Sequence, residues 1–257
     1  MNILITIPTY NRPEILKNKT LAFLKSVGTK FKIIVVVDDE EALKEYQKYN
    51  PGYDIISCNT KGLVNKKKFI INNYSKKYKY HLNIDDDIDA ILLAKNKNWR
   101  EALPITNFDE TVINCFKKTE ELGAHLWGIC PYKNAFFSSQ TVSTDLKYIC
   151  GIFHGMIFDG IEDRIDYQLT SHGEDYEKTI LYFLQDKKVI RFNYLLTRTK
   201  YYRIEGGITG YYGGNDNREL ASQEAMKYLS DNYPEMCKII IKKGKTDLKL
   251  NRLFNQN

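Results

Sequence analysis

The sequence predicts an α/β protein: a doubly wound, Rossmann-like mixed sheet with helices on both faces, in a single domain. Three observations predict it. Through residues 1–95, short β-branched runs alternate with helical patterns. One of these runs, KIIVVV (32–37), is apolar at successive positions, as a strand covered on both faces must be. Polar clusters follow the ends of three of the runs, and in a parallel sheet those ends share one edge, where ligands bind.

Taken in order, NILITIP is a short strand stopped by Pro8. NRPEILKNKTLAFLKSV then reads as a helix, with Asn11 as its cap and Pro13 and Glu14 in the first turn. Its apolar stripe is Leu16, Thr20, Phe23, Leu24 and Val27. KIIVVV stops at Asp38 and Asp39, and the polar helix EEALKEYQKY follows. YDIISC is a third strand, LVNKKKFIINNYSKK a third helix, and YKYHLNI a fourth strand that runs into Asp85, Asp86 and Asp87. The second half is less regular. AHLWGIC, YICGIFHGMIF and VIRFNYLL read as strands and EDYEKTILYFLQD as a helix. A loop rich in Gly and Tyr, KYYRIEGGITGYYGGND, precedes two closing helices, one over NRELASQEAMKYLSD and one in the basic tail after Pro234.

Composition excludes several classes. With 257 residues, 43% hydrophobic and 27% charged, the chain has ample material for a core and is not a disordered polyelectrolyte. No apolar run reaches the ~18 residues of a membrane span. The N-terminus has no basic region before its apolar run, which argues against a signal peptide. The five cysteines form no CxxC pair, so reduced thiols in a cytoplasmic setting are expected rather than a disulfide frame or a zinc site. A net charge of +6 permits a polyanionic partner without demanding one.

The polar clusters suit a nucleotide diphosphate. Pro8, Thr9 and Tyr10 offer a wall for a base, Asp38 and Asp39 a carboxylate for base or ribose. Asp85 and Asp87, alternate residues at a strand end, can divide ribose and metal between them, since Mg²⁺ and Mn²⁺ bridge carboxylates to phosphate oxygens. Each cluster also has a plainer reading: a solvated acidic turn, or a cap for the following helix.

The segments ITIPTYNRPEIL, IIVVVDDE, GLVNKKKFIINN, HLNIDDDI, GIFHGMIF and SHGEDYEKTI, spread through Ile3 to Ile180, resemble in sequence and order the GT-A glycosyltransferases. The resemblance implies transfer of a sugar from a nucleotide-sugar donor with a divalent metal, Mn²⁺ or Mg²⁺, and UDP-glucose as the default donor. It divides the chain into a nucleotide-sugar-binding half (1–95), an acceptor and catalytic half (96–215) and C-terminal helices (216–257). By match, Thr6, Pro8, Tyr10, Arg12 and Asp38 or Asp39 hold the nucleoside. Asp85, Asp86 and Asp87 form the DXD motif, with Asp87 the better metal ligand. Lys66 or Lys67 meets the diphosphate. In HGEDYE, Asp175 matches the base of an inverting transfer and Glu174 a partner of acceptor or sugar hydroxyls. A helix N-terminus there lowers a carboxylate's pKa and favours its ionised form; the same two acids also suit a helix start with no chemistry. His154 falls near the donor sugar, and Arg203, in the glycine-rich loop, is positioned to clamp a diphosphate.

Within that group the chain resembles the viral and TET/JBP-associated glycosyltransferases, which modify hydroxymethylated pyrimidines in DNA. Interleaved basic and aromatic residues in NKNWR, RFNYLLTRTKYYR and IIIKKGKTDLKLNR are compatible with that acceptor. A viral member would work in the host cytoplasm. A glycan, lipid or protein acceptor is the alternative. Two readings from other classes are a nucleotidyltransferase, against which the absence of glycine in IPTYNRP weighs, and a non-catalytic nucleic-acid-binding module, which leaves the aspartates unused.

Overall fold

The computed structural model describes residues 1–95, 101–132, 134–161, 165–169, 172–199, 207–242 and 244–251. Four strands open the sheet: β1 (Ile3–Pro8), β2 (Lys32–Val37), β3 (Asp54–Ser57) and β4 (Tyr80–Ile84). They lie parallel in the order β3-β2-β1-β4. Every residue of β1 is buried, because helices cover both of its faces. Ile3, Ile5 and Ile7 point into one core with Leu16, Phe23 and Phe108, while Leu4 packs with Ile34, Val36 and Ile70 on the other side.

The crossovers carry the helices. Between β1 and β2 the chain passes through α1 (Pro13–Leu16), a π-helical stretch (Lys17–Leu21) and α2 (Ala22–Ser26). Then come α3 (Glu40–Tyr49) and α4 (Leu63–Tyr74). Asp39 caps α3, its side chain accepting from the Ala42 amide at 2.9 Å. Because β1, β2 and β4 are parallel, Thr9–Arg12, Asp38–Asp39 and Asp85–Asp87 all emerge at one sheet edge.

The second half extends the sheet with mixed direction. β5 (Ala90–Ala94), β6 (Ala102–Pro104), α5 (Phe108–Glu121), β7 (Leu126–Cys130), a 3₁₀ turn (Ala135–Phe137), β8 (Val142–Ser143), β9 (Phe153–Ile157), α6 (Glu174–Asp186) and β10 (Ile190–Arg198) follow in the chain. The full order is β3-β2-β1-β4-β9-β7-β10-β5-β6, with β8 on β10 and β9 antiparallel to both its neighbours. Gly155 pairs with Trp127, and a Cβ on Gly155 would stand 2.1 Å from the indole nitrogen, so the glycine makes room for the largest buried side chain. The chain closes with α7 (Gly207–Tyr211), α8 (Asn215–Asn232) and a hairpin of β11 (Cys237–Lys242) and β12 (Lys245–Leu250). No helix among the described residues is long and apolar enough to cross a membrane.

Three local expectations are corrected, and two elements form that the sequence analysis leaves unassigned. The second of the C-terminal helices does not form: the tail after Pro234 is the β11–β12 hairpin, since Ile239, Ile240 and Ile241 are β-branched and Gly244 takes a turn conformation with φ +75°. Asn11 is not the cap of the first helix; it has φ +50°, and Arg12 stands at the N-cap. β9 begins only at Phe153; before it, Tyr148 and Cys150 line a cleft while Ile149 is buried in the core. β5 and α5, unread in the sequence, both form, with Phe108, Val112, Cys115 and Phe116 as the buried stripe of α5.

Candidate active site

At the end of β1, Thr9 and Arg12 turn inward onto a buried network. Thr9 Oγ1 donates to Asp86 Oδ2 at 2.5 Å and lies 2.8 Å from the Tyr46 hydroxyl. The Arg12 amide donates to Tyr46 at 2.7 Å, and Arg12 Nη1 sits 3.2 Å from Asp86 and 3.8 Å from Asp87. Lys66, buried on α4, stands 2.5 Å from Asp38, donates to the Thr9 carbonyl at 2.7 Å, and lies 5.5 Å from the centre of the Tyr10 ring. Beside this network, a recess of about 200 Å³ is lined by Thr9, Tyr10, Asp38, Asp39, Tyr46 and Lys61.

The aspartate turn is held by its backbone. The Thr20 hydroxyl, from the π-helical stretch, bonds the Asp85 carbonyl at 2.7 Å and the Ile88 amide at 2.9 Å. Asp85 N donates to the Ile152 carbonyl at 2.9 Å, and the Thr199 hydroxyl donates to the Asp87 carbonyl at 3.0 Å. Burial, reinforced by Asp87 and opposed by Lys67, pushes the Asp85 carboxyl up to about 7. Burial also raises Asp87, against Thr199, Arg12 and Lys19. No group of three metal-ligating side chains converges among the described residues. A hard divalent ion needs only one or two carboxylates when phosphate oxygens and water complete its shell, so Asp85 and Asp87 fit that donor set.

A larger cleft of about 540 Å³ opens between Asp85, Tyr148, Gly151 and the N-terminus of α6, with α8 and the hairpin as its far wall. Lys67 Nζ is 2.6 Å from Glu174 Oε1, both buried. Burial is the largest single influence and works against both charges, but Lys67, Lys178 and His172 together hold Glu174 below the usual carboxylate range, and Glu174, Asp85 and Asp175 together hold Lys67 above its own. Asp175 behaves oppositely. Burial and then the neighbouring Glu174 raise its carboxyl, against Lys178, Tyr148 and Lys67. The Tyr148 hydroxyl bonds Asp175 Oδ2, and the Gly151 amide donates to the same oxygen at 3.4 Å. The helix-terminus argument for a lowered Asp175 is thereby corrected, because burial and the adjacent Glu174 charge raise the carboxyl. Gly151 lies against all three: a Cβ there would be in ordinary contact with Glu174, Asp175 and Lys67 at 3.4–3.8 Å.

The structure thus brings Asp85, Glu174 and Asp175 to one cleft, with Lys67 buried against Glu174, and Tyr10, Asp38, Asp39 and Lys66 to or beside the recess. It takes others away from the surface. Thr6 is buried in mid-strand under the α4 face, and Pro8 is buried at the end of the same strand. Asp86 spends its carboxylate on Thr9 and Arg12. His154 is fully buried, with Nδ1 3.0 Å from the Gly151 carbonyl, and lines neither cavity, which corrects its placement near a sugar. Arg203 lies outside the described residues.

Sequence reasoning missed Tyr46, Tyr148 and Lys178. Lys178 is fully buried one turn beyond Glu174, its Nζ without a hydrogen-bond partner among the described residues, and burial, with Lys67 nearby, lowers it to about 7. Nothing local marks Lys178, which follows Glu174, Asp175 and Glu177 in the sequence, or Tyr148.

A family model described as TET-Associated Glycosyltransferase matches residues 3–207. No curated protein sequence matches the chain. Among solved structures, the chain is similar to glucosyl-3-phosphoglycerate synthase from Mycobacterium tuberculosis in complex with Mn²⁺, UDP and glucosyl-3-phosphoglycerate. That likeness has TM-score 0.58 and 10% identity, and covers 99% of this chain and 88% of that one. The mannosyltransferase PcManGT from Pyrobaculum calidifontis, in complex with GDP-Man and Mn²⁺, gives TM-score 0.57 at 12% identity, covering 90% and 64%. S. aureus TarS 1-349 in complex with UDP-GlcNAc gives 0.51 at 15%, covering 90% and 71%. These likenesses concern the fold, which is that of GT-A glycosyltransferases. The chain belongs to the TET-associated glycosyltransferase family and is a glycosyltransferase.

Proposed function

We propose that this enzyme transfers a hexose, by default glucose, from a UDP-sugar to the hydroxyl of a 5-hydroxymethylpyrimidine in DNA, with inversion and with Mn²⁺ or Mg²⁺. The observation that carries the reading is the convergence of Asp85, Tyr148, Glu174 and Asp175 on a cleft at the carboxyl ends of the parallel strands, with Lys67 buried beside Glu174. Complexes of fold neighbours with nucleotide sugars, two of them with Mn²⁺, support the donor class and the metal.

In this reading Tyr10, Asp38 and Lys66 form the nucleoside wall, and Lys67, electrostatically coupled to Asp85 and Glu174, faces the diphosphate. Asp85 and Asp87 would hold the cation, which when bound neutralises charge on the diphosphate. Asp175 accepts the acceptor's proton as the hydroxyl oxygen attacks the anomeric carbon and UDP departs from the opposite face. The raised Asp175 carboxyl makes a stronger base than a solvated aspartate, while Tyr148 and Gly151 fix its orientation. Glu174, neutralised by Lys67, positions a hydroxyl. The five cysteines are unpaired, which agrees with a reducing cytoplasm.

The test is transfer of label from radiolabelled UDP-sugars, with Mn²⁺ or Mg²⁺, to duplexes carrying 5-hydroxymethylcytosine or 5-hydroxymethyluracil beside unmodified DNA. Label confined to hydroxymethylated DNA is the expected result. UDP release without labelled DNA would move the acceptor to a glycan, lipid or protein.

A further inference from the structure

The C-terminal hairpin lies beyond the residues that the family model matches, yet Asp247 and Leu248 line the catalytic cleft. One face of the hairpin is apolar: Cys237 and Leu248 join Ile180 of α6 and Leu229 of α8 in a small core, so the hairpin is anchored to the helix that carries Glu174 and Asp175. The other face collects charge. The register sets Lys238 opposite Lys249 and Lys242 opposite Lys245, like charges at facing positions, an arrangement that destabilises a strand pair in isolation. Lys238, Lys242 and Lys249 are exposed. Residues 237–252 contain six basic side chains and one acidic, nearly the whole of the chain's formal +6. Lysines on a hairpin also discourage edge pairing, but that task requires neither segregation on one face nor facing positions.

The same cleft has an aromatic rim at Tyr132. Tyr132, which lines it, Phe136 and Phe137 are 53%, 69% and 56% exposed and form one contiguous group, with ring centres 5.0 and 5.3 Å apart. Such a group of bare rings is uncommon on a surface without a partner. Lysines on a hairpin that lines the cleft and bare aromatic faces at its rim match a nucleic-acid strand, whose phosphates need cations and whose unstacked bases need rings.

We propose that the β11–β12 lysine face and the Tyr132–Phe136–Phe137 rim form the surface that grips the DNA strand on either side of the acceptor nucleotide. Phosphates lie on Lys238, Lys242 and Lys249, and a base stacks on Phe136 or Phe137. The inference rests on the DNA reading of the acceptor and deepens it.

Its test needs no sugar transfer. Binding of the full chain to fluorescein-labelled, unmodified DNA is followed by anisotropy across a salt titration, for wild type, K238E/K249E and F136A/F137A. Binding of UDP to each variant serves as the control for folding. The expected result is an affinity loss of about tenfold or more in K238E/K249E, with the log–log salt slope shallower by about 2. F136A/F137A should lose about fivefold or more on single strands while keeping the wild-type slope. Unchanged affinity and slope in K238E/K249E overturn the proposal, as does wild-type binding to phosphatidylserine vesicles but not to DNA, for which the exposed Ile239 and Ile241 would then account. Failure of the acceptor reading is separate: it would show as wild-type DNA binding without transfer to hydroxymethylated DNA.

Discussion

Lys67 Nζ stands 2.6 Å from Glu174 Oε1, a buried contact between residues 107 apart in sequence that ties α4 of the first half to the start of α6 in the second. Lys67→Met leaves a buried carboxylate unpaired and should cost roughly 3–5 kcal/mol, read from urea denaturation at neutral pH. Glu174 titrates below its ordinary 4.5, so its contribution is present above that pH and disappears as pH falls through the lowered value. Lys67 titrates above 10.5, so its contribution is complete below 10.5 and is lost only beyond the raised value. Wild type should therefore lose stability below about pH 4.5 more steeply than Lys67→Met.

Asp175→Asn should bind UDP-sugar normally and lower the transfer rate by roughly 10²–10⁴. Tyr148→Phe removes a hydrogen bond that opposes the rise of the Asp175 carboxyl. The acid limb of its kcat/KM profile should move to higher pH. A limb that stays in place would separate Tyr148 from the base.

The three adjacent aspartates should part company on mutation. Asp87→Ala should fold and lose metal-dependent turnover, as should wild type after EDTA treatment, with activity restored to wild type by Mn²⁺ or Mg²⁺. Asp86→Asn weakens the Thr9–Arg12–Tyr46 network and should lower the melting temperature while retaining metal affinity. Isothermal titration of Mn²⁺ with UDP distinguishes the two.

Lys178 gives a pH signature of its own. Its value near 7 lies below the ordinary 10.5, so the unfolded chain binds more protons above pH 7 and stability rises with pH there. The rise should run from about pH 7 to about pH 9, where thiols such as Cys115 and Cys150, raised by burial, begin to oppose it. Lys178→Met should remove the rise, as denaturation midpoints across that range would show.

Gly155→Ala places a methyl group against the Trp127 indole, with no room between β9 and β7. Overpacking of this kind costs about 1–3 kcal/mol, or more where backbone must move. Thermal melting of a variant with intact UDP binding measures it.

The parallel half of the sheet is legible in the amino-acid sequence alone. Runs such as NILITIP and KIIVVV are apolar on successive residues, which only a strand covered on both faces tolerates, and each ends at a polar cluster. EDYEKTILYFLQD was equally legible, because its acids open the helix and its apolar stripe has helical spacing. The tail is less legible because its local pattern is ambiguous: basic and apolar residues alternate closely enough to suit helix or strand, and packing on α8 selects the hairpin. Only tertiary structure decided which polar residues meet. Asp85, Asp86 and Asp87 are chemically identical in the sequence, but the alternation of the turn sends Asp86 to Thr9 and Arg12 and leaves Asp85 in the cleft. Lys66 and Lys67 differ by one position on α4, and that rotation of about 100° gives one to Asp38 and the other to Glu174. Tyr148 reaches Asp175 across 27 residues, and Lys178 loses water only because α6 packs against the sheet. Such contacts depend on chain closure over long loops, and no local pattern encodes them.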